Sequence, residues 1–475
     1  MLPIKALLFL SLSVAYASAE ERFEFDRHQR VSHKISPCKN FLEHVCNFEE
    51  NHPDQLFKNR VWSGFRNQME VLLVESKDSG LERIREVLDM KDYVKIRGFQ
   101  LFYAEVPAGQ LTPEAKKQIT IKLTRDKQFV PYMNALIVKL AVENKVHLTP
   151  EGRRKADEMV REIRLKLIQK FRGLKWLSNR EEIVHALQIA KILVGIPQEY
   201  IDHPEYAHEM IESFERDVIK FYGPLAQRGS CNVTCKKEAL SAVLLDSFHR
   251  YNKAHSNRTN LDYLLPSSSK IPSAITGFGG RNVDPKFIFF YPDTMHVFNV
   301  HGMAKGLLYS TAGLVIGHEF FHSVWHHEST QHYLREYVAD RRFMESVDCY
   351  SEYYSNYYLM DNSTSPPLKV SFNGLVKMEE GYADIQAARL LMQILSEDRD
   401  YHEQLKWFFY GLGSLWCPYV PGENRLKKVN SPHMPAFLRT NAVLRQLPEF
   451  STAFSCREGD DMYRAESICE AFPVN

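Results

Sequence analysis

The sequence predicts a mainly α-helical, two-lobed protein with a small β-sheet. Apolar residues recur at three- and four-residue spacing through much of residues 38–260, which is the periodicity of amphipathic helices. A β-branched and aromatic run at 287–291 indicates a buried strand. After it, an apolar stretch leads into the sequence His318-Glu319-Phe320-Phe321-His322. A chain of 475 residues is long enough for two domains or one large two-lobed one.

The first 19 residues have the pattern of an export signal. Lys5 precedes an apolar run of about a dozen residues, and Ala17-Ser18-Ala19 forms a cleavage site before Glu20. The run is shorter than the roughly 20 residues that a membrane-spanning helix needs. We therefore expect a cleaved signal peptide at 1–19 and a secreted chain without a stable membrane span. A short membrane anchor that is kept is the alternative.

The next part of the chain is predicted to form a helical N-terminal lobe over residues 20–270. Its clearest helical patterns lie at 65–73, 81–88, 156–171 and 183–194. Thr149 is expected to cap a helix that begins with Pro150. The Ser/Pro-rich stretch at 265–272 is the best candidate for a linker. Residues 271–475 would then form a second, mainly helical lobe that contains the sheet.

The H-E-x-x-H sequence predicts a metal site. His318 and His322 are four residues apart, so on a helix they share one face and can bind one metal ion. Glu319 is close enough to act on a water molecule at that metal. Two imidazole ligands with a carboxylate general base are typical of zinc peptidases. The alternative is a helix that merely carries two surface or core histidines.

A catalytic zinc site needs a third protein ligand, and Glu380 is the best candidate. Glu380 and Asp384 are four residues apart and would share a helix face, so one could bind the metal while the other orients a ligand imidazole. Glu379 is the rival ligand, but it would lose the partner four residues on. Without the histidine pair, this segment would be interpreted as a solvated acidic helix start.

Cysteine and charge content narrow the class of protein further. The eight cysteines are an even number, which in an exported chain suggests disulfides, although spacing alone does not choose their pairing. Glycosylation sequons occur at Asn232, Asn257 and Asn362. Lys and Arg total 60 against 59 Asp and Glu, so we expect neither nucleic acid nor an anionic membrane as partner.

Further motifs accompany the metal helix at both ends of the chain. They are Ser36-Pro37-Cys38-Lys39-Asn40-Phe41 with Cys46, Val315-Ile316-Gly317 before His318, Phe372-Asn373-Gly374 before Glu380, the segments 416–423 and 432–435 with Arg439 and Asn441, and the segment 450–456. Together they resemble the neprilysin / endothelin-converting-enzyme family of zinc metallopeptidases over residues 36–80 and about 285–475. The resemblance implies a two-lobed zincin fold of the gluzincin type, with residues 36–80 packed on the catalytic lobe.

The same resemblance implies roles for individual residues. One zinc ion per chain would be bound by His318, His322 and Glu380, with Glu319 as general base and Asp384 behind the ligands. His433 would donate a hydrogen bond to the tetrahedral oxyanion, and Arg439 would contact the backbone of a peptide substrate. The implied disulfides are Cys38–Cys456, Cys46–Cys417 and Cys349–Cys469. Cys231 and Cys235 are left over, and whether they pair with each other stays open.

The chain also departs from the family pattern. It is shorter between about residue 90 and residue 270, Gly381 replaces an Asn, and Ser431 replaces the Asp two residues before His433. The segment 275–280 stands where the family has a substrate-binding strand and does not match it. These changes predict that the zinc ligands and the general base are intact while the residues that position the substrate are altered. The second hypothesis is therefore a zinc-binding but catalytically weak ectodomain that acts as a binding or decoy protein.

Overall fold

The computed structural model describes most of the predicted C-terminal lobe and much of the N-terminal one. The described residues are 31–47, 51, 64–78, 81, 129–226, 231–259, 261, 274–277, 287–324, 341–361, 365–417 and 429–472. The predicted signal peptide, the linker at 265–272 and the sequon residue Asn362 lie outside them.

Helices dominate the described part of residues 31–261, with a single short strand. The elements are α1 (Phe41–Cys46), α2 (Gly64–Glu75), α3 (Val130–Glu143), α4 (Pro150–Gly173), α5 (Arg180–Ile189), β1 (Lys191–Val194), α6 (Gln198–Asp202), α7 (Glu205–Asp217), a π-helical turn (Val218–Tyr222), α8 (Gly223–Ala226) and α9 (Val233–Ala254). The Thr149 hydroxyl accepts a hydrogen bond from the backbone N–H of Gly152, so Thr149 caps α4 as predicted.

The remaining described residues add two small sheets to a second set of helices. The elements are β2 (Ala274–Gly277), β3 (Phe287–Phe290), α10 (Pro292–Met295), a 3₁₀ turn (His296–Asn299), α11 (Lys305–Leu308), a π-helical turn (Tyr309–Gly313), α12 (Leu314–Val324), α13 (Arg341–Ser355), β4 (Tyr358–Asp361), β5 (Leu368–Ser371), α14 (Gly374–Leu395), α15 (Tyr401–Leu415), α16 (Ala436–Arg445) and α17 (Pro448–Phe454). The predicted fold class, mainly α with little β, is confirmed.

Strand β3 separates the two main hydrophobic cores. It is the central strand of a three-stranded sheet of order β1-β3-β2, parallel to β1 and antiparallel to β2. Successive side chains of a strand point to opposite faces. Ile288 and Phe290 accordingly lie in one core, while Phe289 and Tyr291 lie in the other. A strand buried on both faces reads as a continuous apolar run, which explains why 287–291 was recognisable in the sequence.

The helix predicted over 183–194 is wrong in its last residues. Helix α5 ends at Ile189, and β1 pairs with β3 in the register Lys191↔Phe287 to Val194↔Phe290. A short apolar run fits a helix and a strand equally well, and the pairing partner lies almost a hundred residues away. The N-terminal lobe was expected to be helical throughout, and strand β1 shows that it is not.

The two cores do not divide at residue 270. The larger core joins buried residues of α4 and α5, such as Ile163 and Leu187, to α12, α14, α15 and the C-terminal segment. The second core is built mainly from α2, α3, α7 and α9. The predicted boundary between residues 270 and 271 thus does not coincide with the division between hydrophobic cores, because α4, α5 and β1 pack with the metal helix.

The N-terminal segment is fastened to the C-terminal end of the chain. Disulfides join Cys38 to Cys456 and Cys46 to Cys417, and the ring of Phe41 lies edge-on to Phe450 at a centroid distance of 4.9 Å. Cys349 is joined to Cys469, so the three disulfides that the resemblance implies are all found, and Cys231 pairs with Cys235. No helix among the described residues is long and apolar enough to cross a membrane.

Candidate metal centre

The metal helix α12 is held close to α14 by a small residue on each side. The π-helical turn at Tyr309–Gly313 leads directly into α12. A Cβ placed on Gly317 would lie 3.0 Å from the Cβ of Ala387, so the two helices pack in tight contact at this point. This close approach brings the residues after Gly317 against the first turns of α14.

Two imidazoles of α12 and one carboxylate of α14 converge at this contact. The Nε2 atoms of His318 and His322 are 2.8 Å apart. Glu380 Oε2 lies 3.2 Å from His318 Nε2, and Glu380 Oε1 lies 3.6 Å from His322 Nε2. Of the two adjacent carboxylates considered in the sequence, Glu380 is the one that joins the cluster.

The spacing of these three ligand atoms fits a zinc ion. Tetrahedral zinc has bonds of about 2.0–2.2 Å to nitrogen and oxygen, which separates neighbouring ligand atoms by about 3.4 Å. The atoms of His318, His322 and Glu380 all lie within 4.8 Å of one another, at separations of 2.8 to 3.6 Å. Two neutral imidazoles and a carboxylate are also a donor set that zinc accepts, and three protein ligands leave a position open.

Asp384 lies behind His318, one helical turn beyond Glu380. Its Oδ1 atom is 2.8 Å from Nδ1 of His318, the ring nitrogen that faces away from the ligand cluster. The guanidinium of Arg439 donates to both oxygens of the same carboxylate, from Nε at 2.6 Å and from Nη2 at 2.8 Å. A carboxylate in this place fixes the orientation and tautomer of the imidazole in front of it.

The buried charges at the centre shift one another's pKa values. Burial lowers the pKa of His318, but Asp384 and Glu380 more than offset this and raise it to about 10. Burial raises the pKa of Glu380, yet its contacts with His318, His322 and His433 hold it well below the usual range. Burial likewise opposes ionisation of Asp384, and Arg439 and His318 outweigh it and lower the pKa. Both carboxylates are therefore anionic at neutral pH, as ligands and their supports must be.

Glu319 lies beside the ligands and is only partly buried. Tyr291 directly follows β3. Its side chain is buried, and its hydroxyl has no hydrogen-bond partner among the described residues. Burial, and secondarily the charge of Glu319, raises the pKa of this phenol. Tyr291 therefore stays a neutral hydroxyl within the electrostatic reach of Glu319.

His433 and Arg439 approach the cluster from the segment that leads into α16. His433 Nε2 lies 2.8 Å from Glu380 Oε2, and the His433 side chain is 49% exposed. Arg439 Nη2 is 3.8 Å from the same oxygen, and its guanidinium stacks over Trp416. The structure thus brings together six of the seven predicted site residues through direct contacts, with Glu319 adjacent to His318 in the chain.

Strand β2 includes the first residues of the segment 275–280, which does not match the family's substrate-binding strand in sequence. Residues Ala274–Gly277 pair with β3 on one side, and the strand order puts β2 at the edge of the three described strands. It also packs against α12. An edge strand beside the metal helix therefore exists even though its sequence does not match the family pattern.

The part of the chain that holds the centre is similar to a known family of peptidases. The segment 295–469, which contains the whole cluster, matches peptidase family M13. These residues are similar to the members of that family. The resemblance to neprilysin and endothelin-converting enzymes is thereby confirmed.

The relatives of this chain are distant. An endothelin-converting enzyme homolog of Locusta migratoria is 22% identical over 336 residues, which is 65% of this chain and 41% of the relative. Neprilysin-1 of Caenorhabditis elegans is 27% identical over 182 residues, which is 33% of this chain and 23% of the relative. The chain thus spans less than half of either relative. The solved zinc metalloprotease Zmp1 of Mycobacterium tuberculosis is 14% identical, with a TM-score of 0.48 over 77% of this chain and 52% of that one.

Two residues near the centre were not anticipated from the sequence. Tyr291 looked like the last apolar residue of a buried strand, and nothing in its surroundings signalled a hydroxyl near Glu319. Lys377 lies three residues before Glu380 and is completely buried. A buried lysine is rare and indicates a specific role, but its burial can be recognised only when the packing of α14 is known.

Proposed function

We propose that this chain is a secreted zinc metalloendopeptidase that hydrolyses peptide bonds in peptides or small proteins. The observation that carries the proposal is the cluster of His318, His322 and Glu380 on two packed helices inside an M13 segment. We assign one zinc ion per chain to these three ligands. Asp384 supports His318 from behind, so the ligand set is oriented before a metal arrives.

The chain's own residues divide the reaction between them. A bound zinc ion supplies Lewis acidity, which lowers the pKa of a water molecule from about 15.7 to about 7. Glu319 takes the proton of the attacking water and delivers it to the leaving amine. His433 donates a hydrogen bond to the oxygen that becomes negative when the carbonyl is attacked. Its position 2.8 Å from a ligand oxygen supports this assignment.

The edge of β2 is a suitable place for the substrate backbone. An extended peptide can add to an exposed sheet edge through main-chain hydrogen bonds, which do not depend on matching side chains. The packing of β2 against α12 would hold such a peptide beside the ligands. Arg439 remains assigned to the substrate backbone as well, although its Nε and Nη2 atoms are already bonded to Asp384.

Secretion belongs to the same proposal. The signal-like residues 1–19, four disulfides and the exposed sequon residues Asn232 and Asn257 suit a glycosylated extracellular protein. At Asn232 the Oδ1 atom caps α9 by accepting a hydrogen bond from the N–H of Cys235. A glycan would be attached through the amide nitrogen, so this cap and a sugar are compatible.

The decisive experiment compares purified wild type with Glu319→Gln on a peptide library. The wild type should cleave peptides, lose activity to a zinc chelator and regain it when zinc is restored. Glu319→Gln should bind the same amount of zinc and cleave about 10²–10⁴-fold more slowly, since that is what a general base contributes. Glu379→Gln is the matched control, because Glu379 is next to Glu380 in the chain but outside the ligand cluster. Its cleavage rate should stay within a few-fold of wild type.

Equal cleavage by wild type and Glu319→Gln would contradict the assigned mechanism. A wild-type protein that holds zinc but cleaves nothing in the library would favour the second hypothesis, a zinc-bearing binding protein. The replacement of the family's Asp by Ser431 and the exposure of His433 are the features that would then explain the lost activity.

A further inference from the structure

Lys377 connects the helix of the third ligand to the turn that carries His433. The residue lies on α14, is completely buried, and precedes Glu380 by three positions. Its ammonium donates to the backbone carbonyl oxygens of Ser431 and His433, the latter at 3.2 Å. These carbonyls flank Pro432, so one side chain holds both ends of a short turn.

Two of the residues of the turn are prolines, which limits the backbone hydrogen bonds that it can make. Residues 429–435 form no helix or strand, and Pro432 and Pro435 have no backbone N–H to donate. Met434 is buried and Pro435 begins the entry into α16, but the His433 side chain is half exposed. The position of the imidazole therefore depends on contacts made by the backbone beneath it.

The contact made by Lys377 is of the strong kind. A hydrogen bond from a charged donor is shorter and stronger than one between neutral groups, and burial increases its strength. Burial lowers the pKa of Lys377 to about 8, which leaves the ammonium mostly charged at neutral pH. The ring of Phe372, whose centroid is 5.0 Å from Nζ, also faces the charge.

We propose that Lys377 is a positioning residue, which sets the His433 imidazole relative to Glu380 by binding the two carbonyls of its turn. The inference rests on the role proposed above for His433. Both Glu380 and Lys377 belong to α14, so the same rigid helix would orient a metal ligand and the hydrogen-bond donor that faces it. Ser431 contributes through its backbone carbonyl, which any residue at this position would offer.

The test compares Lys377→Met, which keeps an unbranched side chain one atom shorter but removes the donor, with wild type and with Lys369→Met. Lys369 is an exposed lysine on β5 that lies over the Tyr358 ring, and its variant should match wild type within about twofold. We expect Lys377→Met to lower kcat by about 10–100-fold, as losses of supporting residues usually do, while KM and zinc content change little. Lys377→Arg, which keeps a charged donor, should recover part of the rate.

A double variant separates positioning from general stability. If Lys377 acts through His433, Lys377→Met should cost no further activity in a His433→Ala background. Losses that multiply in the double variant, or a wild-type kcat in Lys377→Met, would overturn the proposal.

A readout without turnover keeps the inference independent of the proposed reaction. Lys377→Met should accelerate amide hydrogen exchange at residues 430–438 in the folded, zinc-loaded protein, whereas Lys369→Met should not. Unchanged exchange there would refute the anchoring role even if the wild type proved to cleave no peptide. If the wild type cleaves no peptide but Lys377→Met still exchanges faster, the anchoring role is supported and only the peptidase assignment is contradicted.

Discussion

Arg439 binds both oxygens of Asp384, at 2.6 Å from Nε and 2.8 Å from Nη2, directly behind the ligand His318. The Asp384 side chain is 2% exposed and that of Arg439 is 15% exposed. The pair is therefore a buried, bidentate ion pair that joins α16 to α14. Its geometry connects the folding of the C-terminal segment to the orientation of a metal ligand.

Removing the guanidinium should therefore damage both stability and metal binding. Arg439→Met would leave the Asp384 carboxylate buried without its main partner, at an expected cost of about 3–5 kcal/mol in the free energy of unfolding. Arg439→Lys should lose less, because it keeps the charge but not the two-pronged geometry. Urea unfolding measures the first effect, and competition with a chromogenic chelator measures zinc affinity.

Arg445→Met is the matched control on the same helix. Arg445 Nε donates to the backbone carbonyl of Tyr463 at 3.5 Å, and its guanidinium also hydrogen-bonds the Tyr357 hydroxyl, but it pairs with no carboxylate among the described residues. Its loss should lower the free energy of unfolding by less than about 1.5 kcal/mol and leave zinc affinity unchanged. Equal effects of the two arginine variants would show that the Asp384 contact has no special role.

Zinc binding should release a proton from His318. In the metal-free protein the pKa of this imidazole is raised to about 10 from an ordinary value of 6.5, whereas a zinc ligand must be neutral. Because the folded pKa is raised, protonated His318 stabilises the metal-free fold fully below about pH 6.5. That contribution is lost as the pH rises towards 10. Zinc affinity should accordingly increase with pH over this range.

Calorimetry in two buffers of different ionisation enthalpy measures that proton. Near pH 8 we expect His318 to contribute about one proton per zinc bound by wild type, in addition to the proton lost from a zinc-bound water. Asp384→Asn removes the carboxylate that raises the His318 pKa, so it should release fewer protons and bind zinc about 10–100-fold more weakly. An identical proton count in wild type and Asp384→Asn would contradict the proposed coupling.

Gly381 should not tolerate a side chain. A Cβ at this position would overlap the ring of Tyr354, which is itself buried against α14. Alanine has a helix propensity about 1 kcal/mol better than glycine, but overpacking a tight core costs about 1–3 kcal/mol and should prevail. We expect Gly381→Ala to lower the melting temperature in thermal unfolding.

Shrinking the neighbour should relieve the overlap. Tyr354→Leu combined with Gly381→Ala should be more stable than the sum of the two single changes predicts, because the new methyl group would enter space that the ring has left. Strict additivity in this pair would mean that Gly381 is required for another reason. The replacement of the family's Asn at 381 thus has a packing explanation in this chain.

Features encoded locally were predicted well from the sequence. The spacing of His318 and His322, and of Glu380 and Asp384, fixes which side chains share a helix face, because helical geometry is set within four residues. The strand at 287–291 was recognisable because burial on both faces leaves only apolar residues. The resemblance supplied the disulfide pairs and the family. The individual catalytic roles stay predictions until the variants are measured.

Features that need a distant partner were decided by the tertiary structure. Residues 191–194 form a strand because they pair with β3. Arg439 binds Asp384 because α16 packs beside α14. The anchoring of the His433 turn by Lys377 depends on a lysine more than fifty residues upstream. The sequence by itself determined the metal-binding residue types and their helical faces. Only the packing of α12, α14 and α16 determined which charges meet, because short-range periodicity contains no information about which elements become neighbours.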